Sequence, residues 1–214
     1  MIYQVFRVLG LILGYPLQLL FFKRKTYYAN KKSTHIHRGG KLIITNHFNM
    51  LDYVMSCFIV FPRKLTAVAS EMPFKSRITR FGMRFFGAIE ANRETRSMKF
   101  MDEAAAVIRK GGLVQIFPEG KNTPDGNIHS FKQSYLVIAH RARAPIIPIV
   151  TDGNYGLFRR AHVIIGREID VSPFFAGERP TREELCRANE AVHEEVLALR
   201  AELEERKQKK RKKG

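Results

Sequence analysis

Acidic residues are scarce in this sequence, and none precedes Asp52. Across 214 residues, 20 Asp and Glu stand against 37 Lys and Arg, a formal net charge of +17. Such a surplus points to an anionic partner, either nucleic acid or an acidic lipid surface. Cysteine is nearly missing as well. Cys57 and Cys186 are far apart and form no CxxC pattern, which argues against a disulfide framework or zinc site and for a reducing compartment. A long hydrophobic run is also lacking. The uncharged stretch at the start, residues 8–22, has 15 residues and is interrupted by Gly10, Gly14, Pro16 and Gln18, whereas a clean membrane span needs roughly 18–20 apolar residues. No small-residue cleavage site follows it, so it does not read as a signal peptide. Two further absences matter. There is no G-x-S-x-G to supply a serine nucleophile, and no nucleic-acid-binding module is visible.

The placement of the positive charge decides between its two partners. Arg7, Lys23, Arg24, Lys25, Lys31, Lys32, Arg38 and Lys41 all precede the first acidic residue, and Arg206, Lys207, Lys209, Lys210, Arg211, Lys212 and Lys213 close the chain. A basic run beside an apolar segment suits anionic lipid better than nucleic acid. Residues 1–32 are therefore expected to be a membrane-anchoring helix, dipping into or lying on the bilayer, with its basic cluster on the cytoplasmic side. Residues 33–205 are expected to form one domain, and residues 206–214 a basic disordered tail.

Within that domain, strands and helices alternate. Strands are expected at 33–37, at Lys41–Thr45, and at 65–69, 88–91, 113–117, 145–150 and 163–166. Helices are expected at 50–60, closed by Pro62, and at 74–86. A third follows Ser97, with Ala104-Ala105-Ala106 inside it and Gly111-Gly112 to stop it. Two more are expected at 131–141 and 181–205. In the last, Thr181 and Glu184 make a capping-box pattern, and Leu185, Ala188, Val192, Val196, Leu199 and Leu203 recur at helical spacing. This alternation predicts an α/β fold with a mixed, largely parallel sheet flanked by helices.

Two motifs carry chemistry. In Asn46-His47-Phe48-Asn49-Met50-Leu51-Asp52 a strand ends and presents a histidine, with a carboxylate five positions on. A neutral imidazole is suited to taking a hydroxyl proton near pH 7, and a carboxylate on its other nitrogen would fix the tautomer. That spacing does not align on one helical face, so His47 belongs in the loop or first turn and Asp52 on the helix that follows. The second motif, Phe117-Pro118-Glu119-Gly120-Lys121, also follows a strand. Proline ends sheet pairing there, and glycine lets the main chain approach a ligand. His35 and His37 form an HxH pair without cysteine or carboxylate partners in pattern, and read as surface residues rather than metal ligands.

The order of these features resembles the lysophosphatidate (1-acylglycerol-3-phosphate) acyltransferase family of the glycerolipid acyltransferases. Its N-H-x4-D motif is met by Asn46, His47 and Asp52, and its G-x-I-x-x-x-R motif by Gly87, Ile89 and Arg93, with Asn92 where the family often has Asp. Its F-P-E-G motif is met by Phe117, Pro118, Glu119 and Gly120, and its proline pair by Pro145-Ile146-Ile147-Pro148. Phe131-Lys132 resembles its F-K-x-G, with Ser134 replacing glycine. The resemblance covers roughly residues 33–170 and implies acyl transfer from a coenzyme A or acyl carrier protein thioester to a lysophospholipid hydroxyl. It implies no prosthetic group or metal, His47 as general base oriented by Asp52, and Arg93 and Lys121 holding the acceptor's phosphate. Asn46, Phe117, Pro118, Glu119 and Gly120 would line the acceptor pocket. The family's F-P-E-G usually continues Thr-Arg-Ser; here it continues Lys121-Asn122-Thr123, which leaves another lysophospholipid or an aminolipid open as acceptor. Two readings of other classes stand beside this one: a basic nucleic-acid-binding protein, and a catalytically silent lipid-binding protein of the same fold.

Overall fold

The computed structural model describes residues 2–30, 36–70, 87–91, 98–123 and 125–211. Helix α1 (Ile2–Phe22) leads into strand β1 (Lys25–Tyr28), then β2 (Lys41–Thr45), α2 (Leu51–Ile59), β3 (Leu65–Ser70) and β4 (Ile89–Ala91). After these come α3 (Lys99–Arg109), β5 (Leu113–Ile116), α4 (Ser134–Ala142), β6 (Ile146–Thr151), β7 (His162–Ile165) and α5 (Arg182–Arg211). The strands form one seven-stranded sheet in the order β1-β7-β6-β2-β5-β3-β4. Every pairing is parallel except β6 with β7, so the expected mixed, largely parallel α/β sheet is present.

The central strands β2, β5 and β6 are buried along their whole length, as β-branched runs covered on both faces must be. Alternation divides their side chains. Leu42, Ile44, Val114, Ile116, Ile146 and Val150 join the core shared with α3, α4 and α5. Ile43, Leu113, Ile147 and Ile149 join the core shared with α1 and α2. Helix α3 buries Met101, Ala104, Ala105 and Ile108, the one-sided spacing of a helix laid on a sheet. Helix α5 does the same with Ala188, Val192, Val196, Leu199 and Leu203. Its start is a reciprocal cap: Glu184 N–H donates to Thr181 Oγ1 at 3.2 Å, and Thr181 N–H donates to Glu184 Oε2 at 2.7 Å.

Several expectations need correction. A strand was expected at 33–37; residues 33–35 lie outside the described residues, and Ile36 and His37 form a short 3-10 turn. Strand β1 falls in the segment expected to be juxtamembrane, yet it pairs with β7 from Lys25↔His162 to Tyr28↔Ile165. Helix α4 begins at Ser134 rather than 131; the Lys132 N–H just before it donates to the Pro118 carbonyl at 2.8 Å. Helix α5 runs on to Arg211, through part of the expected tail, with Arg206–Glu202 and Lys209–Glu205 pairs one turn apart supporting it. The helix expected at 74–86 and the Ser97 cap lie outside the described residues. Among the described residues, no helix is long and apolar enough to cross a membrane.

Candidate functional site

Parallel pairing brings the functional segments to one edge of the sheet. Ile44 of β2 is in register with Ile116 of β5, and Thr45 with Ile149 of β6. The residues after each strand therefore emerge side by side: Asn46-His47 in the centre, Phe117 to Gly120 on one flank, and the loop after Thr151 on the other. Asn46 locks the arrangement from within. Its side-chain amide donates to the Thr151 carbonyl at 3.0 Å and accepts from the Thr151 N–H at 2.9 Å.

His47 occupies the loop and Asp52 the first turn of α2, as the spacing predicts. Nδ1 of His47 lies 3.0 Å from Oδ2 of Asp52. The same oxygen accepts the backbone N–H groups of Phe48 at 2.7 Å and Asn49 at 2.8 Å. Oδ1 accepts the Tyr155 hydroxyl, which is also 3.0 Å from Thr151 Oγ1. Asp52 is wholly buried, and its oxygens only accept, so the proton of a neutral His47 sits on Nδ1 and the lone pair on Nε2. Burial, then the Asp52 charge beside it, pushes the Tyr155 phenol far above its ordinary range, so it stays a donor. The Phe117 ring stacks on the imidazole, with centroids 3.8 Å apart and planes 16° from parallel. The imidazole is thus held by a hydrogen bond at one edge and by an aromatic face.

The turn after β5 is joined to this pair from behind. Glu119 is 3% exposed. Its Oε1 accepts the His47 backbone N–H at 3.3 Å, and its Oε2 accepts the Thr123 hydroxyl at 2.9 Å and the His129 N–H at 3.4 Å. Thr123 N–H in turn donates to the His47 carbonyl at 2.7 Å. Pro118 is buried; Lys121 and Asn122 are exposed. Gly120 has φ +67°, a conformation that favours glycine. Arg93 lies outside the described residues.

Sequence reasoning did not find Tyr155, Thr151 or Thr123. Gln115 carried a usable signal, a polar residue inside the apolar run LVQIF. It is fully buried, and its amide donates to Thr45 Oγ1 at 3.0 Å and Ser56 Oγ at 3.1 Å, tying α2 to the sheet beneath the site. A separate cleft of about 1050 Å³, lined by Arg109, His140, Arg143, Pro145 and Glu168 among others, opens where β2 and β6 begin, at the other end of the sheet. Among the described residues, no three His, Cys, Asp or Glu side chains converge as metal ligands would.

Taken together, an imidazole whose Nε2 has no hydrogen-bond partner among the described residues, backed by a buried carboxylate, can accept a proton from a hydroxyl brought to the sheet edge. Comparison with known proteins adds to this geometry. The profile of the acyltransferase family matches residues 25–152. A 1-acyl-sn-glycerol-3-phosphate acyltransferase of Bacillus subtilis is 22% identical over 172 residues, covering 78% of this chain and 84% of that protein. One from Cocos nucifera is 26% identical over 124 residues, covering 56% of this chain but 39% of that protein's length. Among solved structures, the 1-acyl-sn-glycerophosphate acyltransferase PlsC of Thermotoga maritima shares the fold, with a TM-score of 0.55 at 21% identity, covering 83% of this chain and 74% of that one.

Proposed function

As this chain belongs to the acyltransferase family, we propose that it moves a fatty acyl group from a coenzyme A or acyl carrier protein thioester to the free hydroxyl of lysophosphatidate, giving phosphatidate. The observation that carries this reading is the 3.0 Å contact between His47 Nδ1 and a fully buried Asp52. Nε2 of His47 takes the acceptor's hydroxyl proton as the oxygen attacks the thioester carbonyl, and Asp52 stabilises the imidazolium that forms. The tetrahedral intermediate collapses with loss of the thiolate, which takes up a proton. Phe117 holds the ring plane, and Glu119 fixes the backbone of His47 from the buried side. Lys121, exposed beside the turn, and Arg93 hold the acceptor's phosphate. No metal or prosthetic group enters the reaction.

The enzyme works at a membrane, since acceptor and product both reside in a bilayer. Helix α1 exposes Leu13, Leu17 and Leu20, each more than 60% accessible, and Lys23 and Lys25 follow it, a pattern suited to lying in the cytoplasmic face of the cell membrane rather than crossing it. A second reading concerns the acceptor alone. Asn122 stands where the family usually has arginine, and Thr123 is turned inward to Glu119, so a lysophospholipid with another headgroup fits the same chemistry. Membranes carrying the protein, given labelled acyl donor and a panel of lysolipids, separate these. His47→Ala is expected to lower kcat by about 10²–10⁴-fold with KM little changed. Wild-type rates retained in that variant would refute the mechanism; turnover restricted to uncharged acceptors would refute the phosphate-holding role of Arg93 and Lys121.

A further inference from the structure

The loop after β6 carries Tyr155 to Asp52 and then, two and three residues on, presents a pair of open apolar side chains. Phe158 is 97% exposed and Leu157 61%. An apolar pair this open is unusual at a surface without a partner. It is not a frayed end. The Gly156 N–H donates to the Phe21 carbonyl at 3.2 Å, Arg159 N–H to the Gly156 carbonyl at 3.0 Å, and Ala161 N–H to the Phe22 carbonyl at 2.9 Å. The Asn154 amide also donates to the Arg160 carbonyl at 3.3 Å. These bonds close a tight turn at 156–159 and staple its base to the last turn of α1, so the two apolar side chains are held outward by design of the backbone.

The surroundings specify the partner. Arg159 and Arg160 follow the apolar pair directly, and both are exposed, as is Lys23 at the end of α1. The exposed stripe of α1 at Leu13, Leu17 and Leu20 runs to the helix end where this loop is attached. An apolar tip with cations at its shoulder, attached to the end of a helix that also exposes apolar residues, matches the acyl boundary and phosphate layer of an anionic leaflet.

We propose that Leu157 and Phe158 form a wedge that inserts into an anionic bilayer leaflet, with Arg159 and Arg160 on its lipid phosphates, so that the His47–Asp52 edge is held at headgroup depth. This rests on the membrane-associated acyltransferase reading and deepens it. Tyr155 is fixed to Asp52 and the wedge begins two residues later, so the point of lipid contact and the proposed general base belong to one stapled loop.

Sedimentation with vesicles of phosphatidylcholine, with and without an anionic phospholipid, tests the wedge on the full chain. Replacing both Leu157→Ser and Phe158→Ser should weaken partitioning to either vesicle by about tenfold or more. Replacing both Arg159→Gln and Arg160→Gln should weaken it by about tenfold, on anionic vesicles only. Neither pair should move the melting temperature, since the side chains are open. Turnover of an acceptor carried in vesicles should fall in proportion to binding, while turnover of a short-chain acceptor dissolved as monomers stays at wild type. Unchanged vesicle binding in the serine pair overturns the wedge, and so does an equal loss of rate on the dissolved acceptor, which would make the loop a support for Tyr155 alone. Wild-type protein that binds vesicles through this loop but transfers no acyl group to any lysolipid would leave the wedge standing and remove the acyltransferase reading instead.

Discussion

Each oxygen of Asp52 has its own set of donors, and the set on Oδ1 comes from a residue 103 positions away. On the proposed mechanism, Tyr155 would act on the reaction through that carboxylate, as a positioning residue. Tyr155→Phe keeps the ring against Phe22, whose centroid is 5.3 Å away, and removes only the donor. A hydrogen bond to a charged group contributes about 1.5–3 kcal/mol, so kcat is expected to fall by about 10–100-fold with KM unchanged, as steady-state assays would read. A raised KM with kcat unchanged would show a binding role instead. The residue scale also sets what a sequence can disclose. His47 and Asp52 were legible because five positions of local chain bring them together. Tyr155, Thr151 and Thr123 were not, because their partners are fixed by which strand ends lie adjacent in the sheet, and no spacing encodes that. Glu119 was legible as a site residue, but its inward attachment to His47, Thr123 and His129 depends on the same adjacency.

Among elements, α5 depends most visibly on local chemistry. The reciprocal bonds of Thr181 and Glu184 satisfy donors that a helix start otherwise leaves open. Thr181→Ala should lower unfolding free energy by about 1 kcal/mol, measurable by urea denaturation. The cap also has a pH signature. The Thr181 backbone N–H, then that of Ala176, and then the Thr181 hydroxyl hold the Glu184 carboxyl below the usual carboxylate range. A depressed folded value means that stability from this carboxyl is complete above the ordinary carboxylate pKa. It is lost as pH falls through the folded one. Thermal melts across that acid range should therefore be shallower in Glu184→Gln; an unchanged slope would remove the cap from the pH response. Elements with a strong period, such as α3 and α5, and the apolar strands β2, β5 and β6 were readable within a residue or two at most of their bounds. Strand β1 was not: Lys25-Thr26-Tyr27-Tyr28 is short, polar and attached to a basic cluster, and it becomes a strand because β7 offers an edge. Helix α4 starts only after Lys132, whose N–H is bonded to the Pro118 carbonyl, a tertiary contact that no local pattern encodes.

At the scale of the molecule, a net charge of +17 and an exposed apolar face on α1 would contribute separably to the proposed membrane binding. Raising salt from about 0.1 M to about 1 M shortens the screening length from about 10 Å to about 3 Å. Binding to anionic vesicles should weaken strongly over that range, whereas binding to neutral vesicles, driven by apolar contact, should not. Salt-insensitive binding to anionic vesicles would show that the charge plays no part. Fold class was legible at this scale from alternation alone; the strand order was not, since crossovers leave no mark in composition. One bond at the sheet edge has a temporal meaning. The Thr151 carbonyl that steadies Asn46 also receives Arg200 of α5, at 2.9 Å. Synthesis proceeds from the N-terminus, so α1 and the His47 loop leave the ribosome well before Arg200 is made. On the proposed reading, a nascent chain would therefore be lipid-seeking before its candidate site is finished, and prematurely stopped translation products would be adhesive but inert.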